Sequence, residues 1–236
     1  MSDVRDYRRS LARSREALRS GERPKTFLLD GREWDLLPEV FAPDISPSSG
    51  HSLALLGLSP HLTPRSGSLL EIGSGTGVVA VLSAVAGCER VVAADINPQA
   101  VRNTASNAAR HGVTDRVRAV RSDLFDGLDP GERFDVIFWH SNYVLAPADY
   151  AYRDMHERSY VDPGYAAHRR YLAEAGTWLA PGGRVLLHFS SRGDRAALEQ
   201  VADESGCRLI AARTLSAREG EHQIEHTLLE VVARRD

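Results

Sequence analysis

Residues 69–77 read Leu-Leu-Glu-Ile-Gly-Ser-Gly-Thr-Gly: an apolar run with one carboxylate, Glu71, then glycines at the alternating positions Gly73, Gly75 and Gly77. Glycines in such a row let the chain turn sharply and let a ligand meet bare backbone. A helix starting near Gly77 would aim free N–H groups and its positive dipole end at that ligand. A second apolar run, Val91-Val92-Ala93-Ala94, ends in Asp95, 18 residues beyond Gly77. A carboxylate at the end of a parallel strand can accept two hydrogen bonds from vicinal ribose hydroxyls. An Asx turn into Asn97-Pro98 is its other use. Further on, Trp139-His140-Ser141-Asn142-Tyr143 groups an imidazole, an amide and two aromatic rings. An unperturbed imidazole titrates near pH ~6.5, so His140 can serve as a base or aim a lone pair. Asn142 can hold a polar group of a substrate, and Tyr143 and Trp139 can wall it; core packing is the competing role for Trp139, and a bond to a backbone carbonyl for His140.

These residues need strands to carry them. Apolar runs predict strands at Ser68–Ile72, Arg90–Ala94, Val117–Arg121, Phe134–His140, Arg184–Phe189, Arg208–Arg213 and Gln223–Val232. Helices are expected between them: Val78–Ala86, apolar nearly all round and so buried; Pro98–Arg110, with Asn97 as N-cap and Gly112 beyond its end; and Gly164–Leu179, entered from Asp162 and Pro163. Repeated strand–helix units predict an α/β fold, a mostly parallel sheet with helices on both faces. Ahead of it, residues 1–65 read as a cap. Its first 25 residues carry Arg5, Arg8, Arg9, Arg13, Arg15, Arg19, Arg23 and Lys25 against Asp3, Asp6, Glu16 and Glu22, with Tyr7, Leu11 and Leu18 as a narrow apolar stripe. A helix docked on the core or a second subunit is expected, with an anion- or RNA-binding arm as the alternative. Asp30-Gly31 between Phe27–Leu29 and Trp34–Leu37 signals a hairpin, and a short helix is expected within Ser49–Leu58.

A dinucleotide fingerprint has two residues between its last two glycines. Here there is one, and no glycine at 78. That spacing, with Glu71 two residues ahead, resembles the first motif of class I S-adenosylmethionine (SAM)-dependent methyltransferases. The order glycine loop, Asp95, Asp123, Phe134-Asp135-Val136-Ile137-Phe138 and Pro181-Gly182-Gly183 is similar to theirs over about residues 66–236. The resemblance implies a Rossmann-like seven-stranded sheet with its last strand antiparallel. It implies SAM as cofactor, bound by Glu71, Gly73, Gly75, Gly77, Asp95 and Ile96, with Asp123 at the adenine amino group and Leu124 against the ring. Tyr143 also matches the last residue of the Asn-Pro-Pro-Tyr tetrad of release-factor glutamine and adenine amino-methyltransferases. His140, Ser141 and Asn142 depart from it, so neither glutamine nor adenine is carried over as substrate. The expected reaction is in-line transfer to a nitrogen, ahead of oxygen, of a small molecule or an accessible protein side chain, with His140, Asn142 and Tyr143 at the transfer site. An RNA methyltransferase using the basic helix, a nicotinamide-dependent oxidoreductase and a non-catalytic SAM binder are the rivals.

Composition bounds this reading. The 236 residues are 42% hydrophobic and 26% charged, with a net charge of −3. This is ordinary for a globular chain and excludes a globally basic nucleic-acid binder. No run approaches the ~20 apolar residues of a membrane span, and a cytoplasmic protein, possible as a homodimer, is expected. Cys88 and Cys207 alone cannot build a disulfide framework. His222 and His226, four apart, would share a metal on a helix. On the strand expected here they stand ~13 Å apart, so no metal is expected. The stretch 144–163, with Tyr150, Tyr152 and Tyr160, reads as a lid or binding loop, or as a surface helix around Asp149–Arg158.

Overall fold

The computed structural model describes residues 5–19, 25–43, 46–63 and 65–234; Asp3, Glu22 and Arg23 of the basic run lie outside them. Helix α1 (Tyr7–Arg19) leads into a hairpin, β1 (Thr26–Leu29) and β2 (Arg32–Asp35), and then α2 (Ser48–Leu56). The α/β part follows as β3 (Ser68–Ile72), α3 (Val78–Val85), β4 (Arg90–Asp95), α4 (Pro98–Arg110), β5 (Val117–Arg121) and β6 (Phe134–His140). Two short strands, β7 (Leu145–Ala146) and β8 (Asp162–Pro163), precede α5 (Ala166–Glu174), β9 (Leu179–Ser190), α6 (Arg195–Glu204), β10 (Cys207–Glu219) and β11 (His222–Ala233).

Seven strands form one sheet in the order β10-β11-β9-β6-β3-β4-β5. Strands β3, β4, β5, β6 and β9 run parallel, and β11 lies antiparallel between β9 and β10. This is the Rossmann-like sheet expected. The strand period of two divides its side chains between two cores. Leu69, Val91, Ala93 and Phe138 face α3, α4 and the cap, while Leu70, Val92, Ile137 and Leu187 face α5 and α6. The first of these cores also takes Phe27, Trp34, Val40, Leu53 and Leu56, so cap and sheet share one apolar interior. Buried amides fasten the hairpin: Asn107 Oδ1 accepts from the Asp35 N–H at 2.7 Å and Asn103 Oδ1 from the Leu37 N–H at 2.8 Å.

Three expectations on element bounds shift. The Gly164–Leu179 helix is shorter: α5 runs Ala166–Glu174, a 3-10 turn covers Ala175–Trp178, and Leu179 already belongs to β9. Asp162 is in a strand but still serves the helix, because its carboxylate accepts from the N–H groups of Ala167 and His168. The last two strands are long, 13 and 12 residues, and fold as one hairpin. Segment 144–163 contains no α-helix; its one helical turn is the 3-10 stretch His156–Ser159. It docks on α1, where Leu11 packs with Val144, Ala146, Tyr160 and Val161, and Ser14 Oγ meets buried His156 Nδ1 at 2.8 Å. Ser10, Leu11, Ser14 and Ala17 form the buried stripe of α1 and leave Arg8, Arg9 and Arg19 exposed. No helix among the described residues is long and apolar enough to cross a membrane.

Candidate active site

At the carboxyl ends of β3, β4 and β6 one pocket opens. It is lined by Glu71, Gly73, Gly75, Asp95, Ile96, Asp123, Leu124, His140, Asn142 and Tyr143, and roofed by Ser10 and Arg13 of α1, Phe41 and Tyr160. Gly77 is not among the lining residues. Its φ is +78°, and a Cβ there would stand 2.8 Å from Thr104 Cγ2, so this glycine lets α3 approach α4. Gly75, at φ +55°, has nothing within 4 Å of where a Cβ would be: this is the bare backbone that a ligand needs.

Two carboxylates hold the glycine loop. Glu71 Oε2 accepts from the Ala80 N–H in the first turn of α3 at 2.9 Å, and burial pushes its pKa well up. Asp95 Oδ2 accepts from the Gly75 N–H, and Oδ1 from the Asn97 N–H, each at 2.8 Å. Burial raises the Asp95 pKa, while the bonds from Gly75, Asn97 and Ile96 lower it in part. With three backbone donors on its two oxygens, Asp95 keeps one lone pair for a ligand hydroxyl. Asn97 also caps α4, accepting from the Gln99 N–H at 2.9 Å. Asp123 is exposed and ion-paired with Arg170 at 3.2 Å. The bare Gly75 backbone, the remaining lone pair of Asp95 and the apolar Ile96 and Leu124 nearby form a set that fits a nucleoside.

The other end of the pocket is built on β6 and its neighbour β9. His140 pairs in register with His188, and the rings stack with centroids 4.5 Å apart. Burial, followed by the fields of His226 and His51, lowers the His140 pKa to about 3, so the imidazole is neutral near pH 7. Trp139 lies in the core against Tyr171, His168 and the glycine loop. Asn142 Nδ2 donates to the carbonyls of Arg158 at 2.9 Å and Val161 at 2.8 Å, which ties the 144–163 segment down. Those two acceptors fix the amide orientation, and Oδ1 is left buried without a partner among the described residues. Burial raises the Tyr143 pKa, and Ser48 lines the same pocket. The acids of segment 144–163 do not line the pocket; Arg158 does, together with Arg13 and Arg192. Sequence reasoning named Arg13 in the basic helix and Arg158 at the end of a surface helix but missed Arg192 and Ser48, which come from distant segments.

The sequence profile of the ribosomal protein L11 methyltransferase (PrmA) family matches residues 51–148. The chain is 29% identical over 201 residues to the release factor glutamine methyltransferase of Bordetella pertussis, covering 78% of this chain and 72% of that one. It is 29% identical over 158 residues to the ribosomal protein uL3 glutamine methyltransferase of Burkholderia pseudomallei, of which it spans about half, 51%. Among solved structures it resembles a Thermus thermophilus 16S rRNA N2 G1207 methyltransferase in complex with AdoMet and guanosine, at TM-score 0.59 and 20% identity, covering 90% of this chain and 50% of that one. A Pyrococcus furiosus methyltransferase matches at TM-score 0.55 and 18% identity over 95% of this chain and 96% of that one. With the glycine loop and the strand order, these likenesses define a class I SAM-dependent methyltransferase, with SAM as its cofactor.

Proposed function

We propose that the protein methylates a nitrogen of a small molecule that carries an anionic group. One observation carries this reading. A neutral imidazole, His140, and the side chain of Asn142, whose buried Oδ1 has no hydrogen-bond partner among the described residues, stand in the wall of one pocket. Both accept hydrogen bonds, and both suit a substrate nitrogen that bears N–H groups. When bound, SAM supplies a methyl group on a sulfonium, already activated for in-line displacement. What the chain must add is position, dryness and a place for the proton. Asn142 orients the substrate N–H, Tyr143 walls the acceptor, and neutral His140, too weak a base at a pKa of about 3 to keep the proton, accepts a hydrogen bond and aims the lone pair, the proton leaving to solvent. Arg13 and Arg158 supply the countercharges for the anion. The docking of segment 144–163 on α1 roofs part of the pocket, which favours a small acceptor.

Glu71, Gly73, Gly75, Asp95, Ile96, Asp123 and Leu124 form the cofactor half in this reading, and Gly77 acts through helix packing. A protein side-chain nitrogen is the second reading, favoured by the named glutamine methyltransferases among the relatives. Methyl-labelled SAM incubated with separate pools of small molecules, proteins and RNA distinguishes them. Label is expected in the small-molecule pool, in a compound that mass analysis then identifies. Label confined to protein, or to RNA with steep loss as salt rises, overturns the small-molecule assignment.

A further inference from the structure

Behind the acceptor wall lies a cluster that the transfer reaction does not use. Helix α2 packs against β10 and β11 and brings His51 onto His226, ring centroids 4.4 Å apart. Glu219, at the end of β10, places Oε1 3.2 Å from His226 Nε2. One ligand atom from each of His51, Glu219 and His226 lies within 4.8 Å of the other two. His51 Nδ1 is buried and makes no hydrogen bond among the described residues. The geometry points to a divalent-cation site of the zinc class formed by His51, Glu219 and His226, with a fourth position left for water.

The chemistry of the donors fits. Two imidazoles and a carboxylate are a zinc-type set. Arg192 pairs with Glu219 Oε2 and leaves Oε1 turned to His226. The outer partners also fit, because metal-bound imidazoles donate their other N–H to an acceptor. His226 Nδ1 lies 3.0 Å from His188 Nε2, and His188 Nδ1 2.5 Å from Ser52 Oγ. With both rings carrying the proton on Nδ1, His226 donates to His188 and His188 to Ser52, which frees His226 Nε2 for an ion. The ion would join α2 to the β10–β11 hairpin, directly behind the His188–His140 stack.

The test is calorimetric titration of Zn²⁺ into the full chain after dialysis against a chelator, with Co²⁺ absorption as a second probe of the coordination. One ion per chain is expected, with tetrahedral cobalt bands. His51→Ala and the near-isosteric Glu219→Gln should each weaken binding by about 100-fold or more, since even outer-shell losses cost ~10–100-fold. Exposed His61→Ala should leave it unchanged. Absence of one-to-one binding in the wild-type chain overturns the proposal. So does wild-type affinity in both variants.

Discussion

His140 and His188, in register on the adjacent parallel strands β6 and β9, stack at 4.5 Å, and His188 continues by a 3.0 Å hydrogen bond to His226 on β11. Three neighbouring strands thus present a row of imidazoles that begins in the pocket wall and ends at Glu219. Burial holds the first two rings neutral.

His140→Ala should slow methyl transfer about 10²-fold, the scale of a misplaced acceptor. SAM affinity should stay within about twofold, because the cofactor half rests on β3 and β4. Single-turnover kinetics and calorimetry check the two halves separately; a variant that turns over normally removes His140 from the chemistry.

Asp95→Ala should weaken SAM binding by about 1.5–3 kcal/mol, the scale of a charge-assisted hydrogen bond. The loss has two sources, the ribose contact and the release of the Gly75 N–H from its 2.8 Å bond. Unchanged affinity by calorimetry would rule out both.

Gly75→Ala and Gly77→Ala should fail differently. At Gly77 the new Cβ meets Thr104 at 2.8 Å, so the change should destabilise the fold by about 1–3 kcal/mol, as overpacking does. At Gly75 the space is open, so stability should fall by only about 1 kcal/mol from the left-handed φ, while SAM affinity falls more. Urea unfolding beside calorimetry reads both quantities, and equal stability losses would contradict the division of roles.

Stability should decline as the solution is acidified from pH ~6.5 toward pH 3. The folded pKa values of His140 and His188 lie below the unfolded value of ~6.5. Between the two values the unfolded chain binds the protons, so stability rises with pH and is lost as pH falls, by up to about 1.4 kcal/mol per unit for each fully buried ring. Glu219 adds to the loss between pH ~4.5 and about 2. Urea midpoints measured across this range should shift less in a His140→Gln variant, and a flat wild-type profile would contradict the neutral buried rings.

The glycine loop, Asp95 with the Asn97 cap and the alternating strands were legible because each is written in adjacent residues with a local mechanism. Asn97-Pro98 announces α4, and the bonds that Asp95 accepts from Gly75 and Asn97 follow from its place at a strand end. The histidine row was not legible. His140, His188 and His226 are far apart in sequence and meet only through the strand order β11-β9-β6. The strand spacing correctly separated His222 from His226; the partner that sequence could not supply, His51, arrives on α2. Asn142 was half legible: its place after β6 pointed to the pocket, but its hold on Arg158 and Val161 depends on how segment 144–163 folds back.

A crystal structure with S-adenosylhomocysteine, the demethylated cofactor, tests the central claim most directly. The expected result has the ribose hydroxyls on Asp95, backbone of the Gly73–Gly75 turn against the ligand, and the sulfur turned toward His140 and Tyr143. A nucleoside bound elsewhere, or one whose sulfur faces away from His140, would contradict it.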